Sequence, residues 1–71
     1  MKYIFVTIDE FLTYGGKLEI GRTIYNEKGL EVGEVKQLLD GDFAIIETSN
    51  RSLRIINAMF YVKIPVQPIY V

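Results

Sequence analysis

Hydrophobic residues fall along this chain in short runs, each closed by glycine, asparagine, aspartate, serine or proline, and that rhythm belongs to strands rather than helices. The first run, residues 1–8, is rich in aromatic and β-branched side chains and reads as a strand. Ile4, Val6 and Ile8 would share one face, and Tyr3, Phe5 and Thr7 the other. Both faces are thus largely apolar. A two-sided core, a barrel closure or a subunit contact would explain this; a lone edge strand would not. Residues 9–14 suggest a single helical turn, started by Asp9 and Glu10 and stopped by Gly15-Gly16.

The middle of the chain alternates strand and turn. Residues 22–25 read as a strand, and Asn26-Glu27-Lys28-Gly29 suits a type I turn with glycine in the left-handed position. The return strand covers residues 30–39. Gly33 within it marks a bulge, a barrel corner or a close approach of another backbone. Gly41, between Asp40 and Asp42, makes the next turn, followed by a strongly apolar strand at 43–48, a turn at Ser49-Asn50-Arg51 and a strand at 53–56. Residues 57–60 form a turn or helical turn, and 61–64 and 66–71 are closing extended segments. Pro65 and Pro68 place these at an edge or at bends, because proline cannot donate to a ladder. The expectation is a mainly β chain, a small, strongly curved β-barrel of about six short strands with one or two short helical turns. Residues 1–71 would form one domain, with Gly21, Gly29, Gly33 and Gly41 as its turn and bend positions.

Composition narrows how such a domain is held together. A chain of 71 residues buries only roughly 60% of the surface it exposes when unfolded. With no cysteine there is neither a disulfide framework nor a thiolate metal site, so stability comes from packing or from a partner. The hydrophobic fraction is 49% against 24% charged residues, and the mean hydropathy is +0.18. This apolar surplus is not gathered into any run of about 18 residues, so a membrane-inserted helix is not expected. The N-terminus turns acidic at Asp9-Glu10, too early for a signal peptide, which makes a cytoplasmic protein the expectation.

The same inventory bears on catalysis. Histidine and cysteine are both missing, which removes the commonest general base near neutral pH, the usual nucleophilic thiol and the principal metal-binding imidazole. Asp9-Glu10 and Asp40-Gly41-Asp42 are the close carboxylate pairs that could bind a hard cation or exchange protons. Each reads first as structure, the one a helix start and the other a hairpin turn. Gly15-Gly16-Lys17 lacks the spacing of a phosphate loop and reads as a turn. A non-enzyme without cofactor or metal is the expectation.

Residues Ile20, Gly21, Ile24, Tyr25, Asn26, Gly29, Val32, Gly33 and Val35 form the pattern Ile-Gly-x-x-Ile-Tyr-Asn-x-x-Gly-x-x-Val-Gly-x-Val. The pattern resembles the opening hairpin of the PRC-barrel family. That family takes its name from the photosynthetic reaction centre H subunit, and it supplies the C-terminal domain of a bacterial ribosome maturation factor and many small stand-alone archaeal proteins. Residues 43–47 and 53–56 resemble its central strands, and residues 57–71 its short turn and closing strands. The first strand lies outside the family's minimal barrel. A related signature occurs in the small barrel protein of archaeal H/ACA pseudouridylation particles, where a Phe-Gly-Pro-Val type turn stands in place of Leu39-Asp40-Gly41-Asp42. The motif is built of turn glycines and core aliphatics, so it speaks of fold rather than function.

Two functions follow as expectations. The first is a non-catalytic adaptor working through protein association, most simply as a homodimer and docked in a larger assembly, with aromatic anchors at Tyr3, Phe5, Phe60, Tyr61 and Tyr70. The second is a nucleic-acid-binding barrel of a ribonucleoprotein or ribosome-maturation complex, using Lys2, Arg51, Arg54 and Lys63 beside those rings. Charge weighs between them. All nine acidic residues lie between Asp9 and Glu47, and the net charge is −1. Nucleic-acid-binding domains are normally basic, which favours the protein partner.

Overall fold

A computed structural model describes residues 2–66 of the chain. Six strands and one helix follow in the order β1 (Lys2–Thr7), α1 (Ile8–Thr13), β2 (Thr23–Tyr25), β3 (Glu31–Leu39), β4 (Phe43–Glu47), β5 (Leu53–Ile56) and β6 (Tyr61–Val66). The strands form one sheet in the order β1-β6-β2-β3-β4-β5, and every neighbouring pair is antiparallel. The mainly β expectation holds. Closure does not: among the described residues β1 and β5 are the two edges of an open sheet, with no ladder joining them.

The open sheet is nevertheless not flat, and the chain connectivity demands this. β5 and β6 stand four positions apart in the sheet, yet residues 57–60 alone connect them. Such a link spans at most roughly 18 Å, whereas four strand spacings across a flat sheet come to about 19 Å. The Phe60 amide also bonds to the Asn57 carbonyl, shortening the link further. The sheet must curl. Two bulges in β3 supply bending, one opposite Ile24 and Tyr25, the other at Lys36 between Val35 and Gln37.

Gly33 lies beside the first bulge, and its reading as a close-approach position is borne out. A Cβ there would stand 2.5 Å from the Glu47 carbonyl oxygen of β4. Any side chain would push β3 and β4 apart. The expected turn at Asn26–Gly29 is also present: Gly29 has φ +76°, and the Asn26 side-chain oxygen accepts from the amides of Lys28 and Leu30. Gly21 and Gly41 likewise adopt positive φ in their turns.

The first strand ends one residue earlier than its apolar pattern suggests. Thr7 caps α1, its hydroxyl accepting the Glu10 amide at 3.1 Å, so Ile8 opens the helix instead of closing the strand. Thr7-Ile8-Asp9-Glu10 carries the Thr-x-x-Glu signature of a helix start, a local signal outweighed by the apolar alternation. The helix stops as expected. Gly15, at φ +92°, donates to the Leu12 carbonyl and Gly16 to that of Phe11, the paired bonds of a glycine-terminated helix.

The concave face holds the core: Ile8, Ile24, Val35, Ala44, Ile46, Ile56 and Val62, contributed by α1 and by every strand except β1. Each of the isoleucine and valine side chains contributes about 1.5–3 kcal/mol on burial. β1 reaches this cluster only through Val6, at its margin.

The closing segments also differ from expectation. Residues 61–66 form one strand running through Pro65, rather than two segments broken by it. The Lys63 carbonyl accepts from Arg22 Nη2 at 3.0 Å on the side of β6 away from β1. By alternation the Pro65 nitrogen faces that same side, where β2 has already ended and no donor is required. Residues 67–71, with Pro68 and the interface candidate Tyr70, lie outside the described residues.

Candidate interaction surface at the first and last strands

The β1–β6 ladder runs in register from Lys2 opposite Val66 to Thr7 opposite Tyr61. β2 meets β6 only at Tyr25 opposite Tyr61. From Lys63 to Val66 the ladder is therefore a two-stranded ribbon extending past the rest of the sheet. Its convex face carries Tyr3, Phe5 and Thr7 opposite Pro65, Lys63 and Tyr61, and Tyr25 adjoins them from β2. The Phe5 and Tyr25 rings meet edge to face with centroids 5.1 Å apart. Lys63 Nζ lies 4.9 Å from the centroid of Tyr3 and 5.7 Å from that of Tyr25, held between two ring faces. The opposite face of the ribbon carries Ile4 with Ile64, and Lys2 with Val66.

Both faces of the ribbon are apolar and open to water. Tyr3 is 51% exposed, Ile4 47% and Phe5 44%, three consecutive large side chains on an edge strand. Among the described residues the backbone of that edge has no partner strand either. The Ile8 amide donates to Phe60, so alternation turns Val6 and Ile4 toward β6 and the amides of Tyr3, Phe5 and Thr7 outward. A row of outward amides beside exposed apolar side chains is a template for another strand.

Of the residues expected to contact a partner, Tyr3, Phe5 and Tyr61 come together here, joined by Tyr25, which sequence reasoning left in the hairpin. Phe60 does not join them. It packs at the margin of the core in the turn before β6, beneath the Arg54 guanidinium at 5.2 Å. The two faces of a strand are separated by parity, and Phe60 lies one residue before Tyr61.

The four cations expected to face phosphate are split. Lys2 and Lys63 belong to the ribbon, whereas Arg51 lies in the turn before β5 and Arg54 on β5 itself, at the other edge of the sheet. Lys63 is on the convex face, whereas Lys2 and Arg54, the latter opposite the buried Ile46, are on the other. Beyond Lys63 the convex face carries Glu31 opposite Tyr25, then Glu34 opposite Glu47, with Lys36 paired to Glu47 at 3.4 Å. A polyanion laid across the sheet would cross carboxylates. The β5 edge exposes Leu53 and Ile55 at 68% and 64%, a second apolar margin that composition alone does not single out.

The carboxylate pairs occupy structural positions. Asp9 and Glu10 sit in the first turn of α1, and Asp40 and Asp42 flank Gly41 in the β3–β4 turn, with Asp42 itself at φ +64°. Among the described residues no group of three or more potential metal ligands is found. A groove of about 550 Å3 lies under the ribbon, lined by Val6, Phe11, Ile64 and Pro65 with Arg22 and Glu10 at its rim. The Arg22 guanidinium lies 5.0 Å over the Phe11 ring and is engaged by the Lys63 carbonyl, so it serves to close the unpaired side of β6. No helix among the described residues is long and apolar enough to cross a membrane.

No family model, curated protein or solved structure matches this chain.

Proposed function

We propose that this protein is a non-catalytic, PRC-barrel-like adaptor that works by protein association through the β1–β6 ribbon, first of all with a second copy of itself. The observation that carries this reading is the ribbon: two strands beyond the end of β2, apolar on both faces, with a backbone edge that no strand among the described residues pairs. Two-stranded ribbons are marginal in water, and apolar edges of this kind are covered in working proteins. The hairpin at residues 20–35 is consistent with the resemblance through the left-handed Gly29 and the close backbone approach at Gly33. An open sheet whose edges are completed by a partner also accommodates the barrel-like character of that resemblance.

Sedimentation velocity and light scattering at micromolar concentration test the reading. A species of twice the chain mass is expected, dissociating on dilution. A monomer at all concentrations overturns self-association. Titration with single-stranded oligonucleotides at low salt tests the competing function, and salt-sensitive binding there would replace the protein-partner reading with a nucleic-acid one.

A further inference from the structure

The geometry points to one mode of self-association: β1 pairs antiparallel with β1 of a second copy, Phe5 facing Phe5 on a two-fold axis. This rests on the self-association reading and specifies its interface. An isologous contact needs a strand complementary to itself in reverse, and β1 meets that condition. Since Tyr3, Phe5 and Thr7 present the outward amides, a pairing that satisfies them joins Phe5 to Phe5 and Tyr3 to Thr7. In that register Ile4 stands opposite Val6, so the apolar faces match and no like charges meet. Two ribbons become a four-stranded stretch, β6-β1-β1-β6, which covers the β1 edge of both copies at once.

Charge completes the fit. Lys2 comes opposite Ile8 of the second copy, next to its Asp9 and Glu10, which are exposed at the start of α1. The two-fold axis makes this contact twice. The Thr7 carbonyl already serves the helix as its cap residue, but a carbonyl oxygen has a second lone pair for the Tyr3 amide across the axis.

The other free edge is less suited to a symmetric contact. The Ser52 carbonyl accepts from Thr48, so Leu53 and Ile55 present the outward groups of β5. The pairing that overlaps the strand most fully joins Leu53 to Ile55 and sets Arg54 directly against Arg54. Like charges directly opposed disfavour it. Pairing β1 to β5 of another copy would be heterologous and leave an edge free at each end, which propagates instead of closing.

The absence of cysteine allows a direct test by single-cysteine cross-linking. In the proposed dimer the Phe5→Cys variant places two cysteine Cα atoms about 5.5 Å apart, within disulfide reach. Under mild oxidation Phe5→Cys is expected to form a covalent dimer and Ile55→Cys none. Because Phe5→Cys also removes a ring, Lys2→Glu gives a second readout. It should raise the dissociation constant about threefold to tenfold, as expected for losing two exposed ion pairs, and Lys2→Glu combined with Asp9→Lys should restore it. A dimeric protein that cross-links through Ile55→Cys, or at neither position, and ignores Lys2→Glu overturns β1 pairing while leaving self-association standing. A monomeric wild type overturns both.

Discussion

The β3–β4 half of the sheet and the β1–β6 ribbon are both antiparallel ladders of apolar strands, but they reach stability by different routes. In β3 and β4, Val35, Ala44 and Ile46 turn inward and are buried while Glu34 and Glu47 turn outward, an alternation that needs nothing beyond the chain's own core. In the ribbon, Tyr3, Ile4 and Phe5 are apolar on both faces and stay exposed. The middle of β3 and β4 spends its hydrophobic residues on the chain's own core and leaves only Leu38 and Phe43 exposed, beside the turn that joins the two strands, whereas the ribbon holds three consecutive large side chains available. The contrast shows that the apolar surplus of a small chain need not be spread evenly, and that its location is more informative than its size.

The sharpest way to break this comparison is to damage each half and ask whether the loss depends on protein concentration. Ile46→Ala, in the centre of the core, should lower unfolding free energy by about 2–5 kcal/mol, read by urea denaturation and unchanged on dilution. Gly33→Ala, pressed against the Glu47 carbonyl, should cost about 1–3 kcal/mol through forced separation of β3 and β4, again independent of concentration. Thr7→Ala removes the cap of α1 and should cost about 1 kcal/mol, with faster amide exchange at Glu10 as its local signature. Tyr3→Ser in the ribbon should change the unfolding free energy of dilute protein by less than about 0.5 kcal/mol. It should weaken the dimer, however, so that protection of the Phe5 amide from exchange no longer rises with concentration. The smallest effect is expected at Lys36→Ala, where loss of the exposed contact to Glu47 is worth a few tenths of a kcal/mol, about the lower limit for such pairs. A concentration-dependent loss at Ile46, or none at Tyr3, would erase the distinction between the halves.

Much of the strand and turn plan is legible in the chain because its signals are local. Gly29 and Gly41 mark tight turns, Gly15-Gly16 ends the helix, and residues 53–56 stand out between turn formers. The end of β1 was harder to read, since the Thr7 cap competes with an unbroken apolar alternation through Ile8. Pro65 misleads for a different reason: a proline breaks a strand only where its missing donor would be needed, and that depends on which neighbour lies alongside.

The site is less legible than the fold. Tyr3, Phe5 and Tyr61 were identifiable as aromatic anchors, but Tyr25 joins them only because β2 touches β6 at a single residue pair. Phe60 leaves the group through strand parity, and the cations Lys2, Lys63, Arg51 and Arg54 separate because β1 and β5 are opposite edges.

By itself, then, the amino-acid order determined that this chain is mainly β, where it turns, and that it carries more apolar surface than a small core absorbs. Hydrophobic period and turn chemistry act over a few residues, so they are written locally. Strand order, the open sheet and the exposed ribbon were decided only in three dimensions. They depend on which distant segments pair, and a four-residue link between β5 and β6 curves the sheet without closing it.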